Sequence, residues 1–413
     1  MSQFFQVRNN QGRISVYGDL PLSTLDQLTA ALRREAIIAR YPDVTLDLEN
    51  LSSFTHSVIP ALAAYLRFLT QQHKVEYSYI QPRDGILRDR LRKIGLNHYI
   101  DFRRFEKPNP KSSDPSLMQF LNTSECEAVT EKIVNSVLRT VALKRQHIAA
   151  VEWVISEITD NVVNHSQSPV GGFAVFNRIR NTNIVEITVA DSGVGVARTL
   201  GIRDEAEAVS QAIQEGVTRD KINNQGNGLF GSYQLACASK GIFILRSRHG
   251  NLYVDKAGET HIRKENVPYP GTLVVCQIDC DQPDLIERGF IFSGKAHTPA
   301  YDYVERFHEN ESNDIFVNAY DICKTFGSRA SGREARNYID NMLGSLDGTT
   351  VTIDFSGISV ISSSFADEVF GKLFVSLGAM RFMRTVKVAN AVSVVEALID
   401  KAIGMRAKTG LDD

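Results

Sequence analysis

Apolar residues recur at Val151, Val154, Ile155, Ile158 and Val162, every third or fourth position, which puts them on one face of an α-helix. Glu157, Asn161 and His165 fall four residues apart on the opposite face. The stretch SEITDNVVNHS (156–166) therefore predicts a helix with acid, amide and imidazole in one stripe, closing a long helical region from about Ser124. The segments GFAVFNRIR and IVEITVA then alternate with a period of two, the mark of strands with one buried face. DSGVGV follows directly, then a polar stretch, GNGLFGS, and a helix from Ser232 to Lys240 with Gly241 placed to end it. A hairpin is expected around His249–Asn251, and Gly271-Thr272 opens the apolar strand LVVCQI.

On either side the pattern changes. Residues 1–107 alternate strand and helix, with VTLDLENL (44–51) as a strand and IPALAAYLRFLTQQ (59–72) as an amphipathic helix. KPNPKSSDPS (107–116) reads as a linker, as does the charged, proline-containing sequence from Cys280 to about Asp314; a last unit begins at DIFVNAYDI. VTLDLENLSSFTHSV (44–58) and VTIDFSGISVISSSF (351–365) align without gaps, sharing Val44/Val351, Thr45/Thr352, Asp47/Asp354, Ser52/Ser359 and Ser57/Ser364. Apolar residues match at Leu46/Ile353, Leu48/Phe355, Leu51/Ile358 and Phe54/Ile361. Two related modules, residues 1–107 and 312–408, thus flank a central one at 118–282, an α/β multidomain arrangement.

A chain of 413 residues suits three domains. With 43% hydrophobic residues and a formal charge of −2, it offers no electrostatic footprint for nucleic acid or an anionic membrane. The start MSQFFQVRNNQGR lacks a signal peptide's apolar core, and no run nears the ~20 apolar residues of a membrane-spanning helix, so a cytoplasmic location is expected. Cys126, Cys237, Cys276, Cys280 and Cys323 are odd in number and scattered, as reduced thiols would be, and no further Cys or His pair stands beside Cys276 and Cys280 at zinc spacing.

Between Glu157 and Thr272 four signals follow in order. A helix carries Glu-x-x-x-Asn. A strand ends in Asp191-Ser-Gly193-Val-Gly195, where a carboxylate can accept a hydrogen bond from an exocyclic amine and glycines let backbone approach a flat ring. Gly226-Asn-Gly228-Leu-Phe-Gly231 spells GxGxxG, but the polar TRDKINNQ before it is no strand, so the dinucleotide fingerprint fails; what survives is glycine-rich backbone that can turn amides toward phosphates. Gly271-Thr272 comes last.

These residues resemble the GHKL ATPase superfamily, the nucleotide-binding domains of DNA gyrase, heat-shock chaperones, mismatch-repair proteins, histidine kinases and anti-sigma-factor serine kinases, over roughly residues 125–280. The resemblance implies a central α/β sandwich of the Bergerat type, a mixed sheet covered on one face by helices. It makes Glu157 the acid that orients or activates water or a hydroxyl, and Asn161 the Mg²⁺ ligand. Asp191 becomes the adenine-binding carboxylate with Gly193 and Gly195 beside the base, Gly226, Gly228 and Gly231 the phosphate loop, and Thr272 a hydroxyl near adenine. His165 has no defined role. His147, in KRQHIAA, lacks the acidic neighbour of a phosphoacceptor histidine, and the anti-sigma-factor serine kinases are the nearest branch. Both repeat copies resemble the strand-to-helix segment of STAS domains, the antagonists such kinases phosphorylate; the match puts Ser57 and Ser364 at the acceptor position, where either also reads as a helix N-cap. Thr55, Ser362, Val58 and Phe365 depart from the acceptor motif.

The expected protein is an ATP- and Mg²⁺-binding switch with STAS-like ends, in which a lid between Leu200 and Gln225 responds to nucleotide and a STAS-type or sigma-factor-type regulator is the partner. Serine-kinase activity toward a STAS serine, or simple ATP hydrolysis, is the enzymatic alternative, and homodimerisation stays open.

Overall fold

The computed structural model describes residues 5–107, 116–143, 145–217, 228–292, 294–297, 314–344 and 350–409. The molecule is a mixed α/β protein with several separate sheets. It divides into two compact units, Met1–Ile133 with Trp153–Thr298, and Val134–Glu152 with Pro299–Asp413.

The first unit contains two sheets. In the N-terminal one, β1 (Phe5–Asn10) pairs antiparallel with β2 (Arg13–Leu20), which runs parallel to β3 (Asp43–Phe54) and through it to β4 (Glu76–Ile80). Helices α1 (Leu25–Arg33), α2 (Val58–His73), α3 (Gly85–Ile94) and α4 (Leu96–Ile100) connect and cover these strands. The second sheet comprises β5 (Met118–Phe120), β6 (Gly172–Arg178), β7 (Ile184–Asp191), β8 (Phe243–Val254) and β9 (Thr260–Asp279), in the order β5-β6-β7-β9-β8. Every pairing in it is antiparallel rather than mixed.

Strand alternation gives this second sheet two distinct faces. Phe173, Ala190, Leu273, Val275 and Ile244, which lie in register across β6, β7, β9 and β8, join one apolar core with α1, α2 and α4. The opposite, front face carries Asp191, Thr272, Ser247 and Cys276, and there the Cys276 thiol contacts Ser232 O of α9 (Gly228–Ala238) at 3.7 Å. Helix α9 thus lies on the front face, while the rear face is covered by helices of the N-terminal module. Over its first part α2 accordingly has no polar face: Val58 to Leu66 are all buried, because it lies between its own sheet and the second one.

The expected long helix is two, α5 (Thr123–Thr140) and α6 (Arg145–Asn161). The apolar stripe of α6 is buried as its periodicity predicts, Val154 and Ile155 wholly so. The β8–β9 hairpin turns at residues 255–259, where Asp255 Oδ1 accepts the Ala257 and Glu259 amides, and not at His249–Asn251. Gly271-Thr272 lies inside β9, at an irregularity in its pairing with β8. Gly241 is needed for a close approach to Gln277 O, while Lys240 takes the left-handed position at φ 56° that ends α9. Helix α10 (Leu285–Gly289) and the short pair β10 (Ile291–Phe292) and β11 (Lys295–Ala296) complete the described part of this unit.

In the second unit β12 (Asp314–Asn318), β13 (Thr350–Asp354) and β14 (Val386–Ala389) form a parallel sheet with β13 central. The repeat is visible here: β13, like β3, sits between two parallel neighbours and is followed by a helical run, at 363–377. Helix Arg329–Leu343 packs against the ends of α5 and α6 that belong to this unit. Buried Asn341 donates to Leu138 O (2.8 Å) and Val141 O (2.9 Å) and accepts from Leu143 N (2.9 Å), satisfying backbone groups that the break between α5 and α6 leaves without helical partners. Among the described residues no helix is long and apolar enough to cross a membrane.

Candidate functional site

Helix α6 meets the start of α9 through glycine. A β-carbon on Gly231 would strike the Trp153 ring, and one on Gly228 would strike Glu157 Oε2. Gly228 and Gly231 are thus already helical, and their backbones lie against α6. Trp153 is held in turn by Phe290 at 4.6 Å between ring centroids and by Phe292 at 6.4 Å, so α10 and β10 brace the same junction. Burial, and then the charge of Asp160, raise the Glu157 carboxyl to about 7. One turn on, Asn161 Nδ2 donates to Glu157 O at 2.7 Å, which leaves Oδ1 as the side-chain atom chemically suited to a cation.

The second cluster lies at the end of β7. Asp191 Oδ1 accepts the Gly193 amide at 2.6 Å. Burial raises the Asp191 carboxyl to about 7, against the opposing pull of the Gly193 and Thr272 backbone bonds and the Arg248 charge. Gly193 abuts Ser166 O so closely that a β-carbon would overlap it, and Val194 N donates to that same oxygen at 2.8 Å. The turn after Asp191 is therefore sewn to the π-type turn Val162–Ser166 that continues α6. Gly195, at φ 83°, abuts Ser247 and Arg248. Ser247 Oγ accepts from Val196 N (2.9 Å) and lies 3.3 Å from Thr272 Oγ1, while Arg248 Nη2 donates to Gly193 O at 2.8 Å.

The structure thus gathers Asp191, Gly193, Gly195 and Thr272 in one cluster and Glu157, Asn161, Gly228 and Gly231 in another, with the Ser166 turn joining α6 to the first. Gly226 lies outside the described residues. Sequence reasoning missed Ser247, Arg248 and Trp153. The first two sit in FILRSRHGNLYV, where polar residues inside an apolar strand were the available signal.

The expected lid is partly fixed. Helix α7 (Val196–Leu200) leads into it and α8 (Glu205–Gln211) lies within it, while residues 218–225 lie outside the described residues. Glu205 Oε2 accepts His249 N at 2.9 Å, and Ala208 and Val209 are wholly buried, so α8 belongs to the body of the unit.

The two serines at the expected acceptor position differ. Ser57 stands at the start of α2, only 6% exposed, and makes no side-chain cap bond. Ser364 is half-buried with its Oγ 3.0 Å from Ser362 Oγ, and Ser362 is the N-cap, accepting from Phe365 N at 3.0 Å. Neither serine therefore acts as the cap. His147 is wholly buried.

Residues 331–396 match the STAS-like domain of unknown function (DUF4325), so the C-terminal part of the second unit contains a STAS-like domain. The match runs from the helix that holds Asn341 through β13 and β14 into the last helix, Ser393–Thr409. No curated protein matches the chain.

Proposed function

We propose that residues 118–282 bind ATP with Mg²⁺ in the manner of a GHKL domain, and that the protein is a nucleotide-dependent switch acting with its STAS-like modules on a protein partner. What supports this reading is a single arrangement. The turn after the buried Asp191 is hydrogen-bonded to Ser166, at the end of the segment that carries Glu157 and Asn161, and Gly228 opens α9 against the Glu157 carboxylate. The Asp191 carboxylate would accept from the exocyclic amine of adenine, with Thr272 and Ser247 as neighbouring hydroxyls. Asn161 would hold Mg²⁺, which would offset phosphate charge, and the amides at the start of α9 could receive a phosphate. Nucleotide shifts a docking equilibrium only as far as its affinities for the two states differ, so the partner would read whichever state nucleotide favours. The partner would be a STAS-type or sigma-factor-type regulator, by likeness to the serine-kinase branch. Equilibrium titration with a fluorescent ATP analogue, with and without Mg²⁺, tests this; unchanged affinity in both Asp191→Asn and Asn161→Ala would sink it.

One observation favours an enzymatic version. A carboxyl raised to about 7 is matched to proton abstraction near neutrality, and Glu157 has that property beside the start of α9. Glu157 would then take the proton of a STAS-domain serine or of water as the γ-phosphoryl group transfers, giving phosphoserine or phosphate and ADP. Incubation with γ-labelled ATP decides: absence of both labelled protein and released phosphate, under conditions of shown ATP binding, leaves only the switch.

A further inference from the structure

The rear face of the second sheet is fastened to the N-terminal module at the very residue whose front side carries the candidate adenine carboxylate. Tyr269 of β9 is wholly buried, and its hydroxyl lies 3.1 Å from Asp191 O and 3.4 Å from Ala61 O of α2. Burial first, and the Asp191 charge second, drive that hydroxyl well above the usual phenol range, so it stays protonated and remains a donor. The local sequence explains how it gets there. In Tyr269-Pro270-Gly271-Thr272 the proline has no amide to give the ladder, so pairing with β8 breaks between Arg248↔Tyr269 and Ser247↔Thr272. Gly271, at φ 146°, passes so near Asp191 O that a β-carbon would overlap it. The bulge thus sends Thr272 to the front and the Tyr269 ring to the rear.

Helix α2 is close enough for this contact because Ala61, Ala63 and Ala64 offer only methyl groups, all wholly buried. Arg246 of β8, 4% exposed, pairs with Asp26 of α1 and ties the same two modules at a second point.

We infer that the N-terminal module is the rear wall of the nucleotide site, and that Tyr269 is a positioning residue coupling the Asp191 peptide to helix α2. Nucleotide that draws on the Asp191 side chain shifts the peptide carrying it, and Tyr269 passes that shift to Ala61, four residues from Ser57. This rests on the nucleotide reading of the site. The N-terminal module then senses nucleotide through its buried helix rather than through modification of Ser57.

The test compares the full-length wild type with Tyr269→Phe and Tyr65→Phe, the latter removing a buried hydroxyl from α2 itself. ATP·Mg²⁺ affinity and amide hydrogen exchange over residues 58–66, with and without nucleotide, are measured on each. ATP is expected to slow exchange in that helix in wild type and Tyr65→Phe. In Tyr269→Phe affinity should fall about tenfold, the scale of one lost buried hydrogen bond, and the exchange response should vanish. Wild-type binding with no exchange response in α2, or equal effects in both variants, overturns the coupling alone. Failure of the wild type to bind ATP overturns the nucleotide reading and this inference together.

Discussion

The Gly193 amide donates to Asp191 Oδ1 at 2.6 Å, and the same glycine is pressed against Ser166 O. The carboxylate is thereby held by its own turn, and the turn by the far end of the segment bearing Glu157 and Asn161. Geometry at the two clusters is set by backbone, which makes the glycines unequal and separable by mutation.

Gly193→Ala puts a methyl group into a carbonyl oxygen that cannot move without shifting the turn after α6. Thermal unfolding should show a loss of roughly 2 kcal/mol or more, with nucleotide binding abolished.

Gly228→Ala differs because its added methyl meets only the tip of a flexible side chain, Glu157 Oε2. Alanine also favours a helix over glycine by about 1 kcal/mol. The variant should match or exceed wild-type stability while any Glu157-dependent phosphoryl chemistry drops at least tenfold, roughly 1.4 kcal/mol of lost barrier stabilisation. Unchanged turnover would place the working carboxylate elsewhere.

Raised carboxyls give the pH dependence a definite sign. Glu157 and Asp191 both reach about 7 in the fold, from ordinary values of 4.5 and 3.8. Between those values and 7 the folded state keeps protons that the unfolded chain has released, so their contribution to stability declines as pH rises through the window and levels off above it. Thermal midpoints measured across the window should fall less steeply in Asp191→Asn and Glu157→Gln. Nucleotide affinity that needs the Asp191 carboxylate should rise over the same interval.

Asn341→Ala removes donors from Leu138 O and Val141 O and the acceptor of Leu143 N. Denaturant titration should report about 2–4 kcal/mol lost from the second unit. Asn341→Leu should do no better, because shape without hydrogen bonds leaves the same groups bare.

Periodicity made α6 legible, down to which residues it buries, because a 3.6-residue stripe is a local property. The repeat at 44–58 and 351–365 was legible for the same reason, and the structure gives both copies a central strand with parallel neighbours. What sequence could not give was anything that depends on a second layer. Helix α2 reads as amphipathic but is buried on every side from Val58 to Leu66, since the sheet that covers its outer face begins more than forty residues later in the chain. Gly271-Thr272 looked like a strand opening and is a bulge, because Pro270 and the closeness of Asp191 decide the matter through space. Ser247 and Arg248 belong to no motif and join the candidate site only through register with Thr272 and Tyr269.

The shared core of the first unit also bears on how the protein can be handled. Phe173, Ala190, Leu273 and Val275 are covered by α1, α2 and α4, so residues 118–282 expressed alone would turn an apolar strand face to water. The excised segment should precipitate or self-associate, however intact its front face. Residues 1–107 must therefore travel with it, and because Val134–Glu152 belong with the second unit, ATP binding is best sought in the full-length chain.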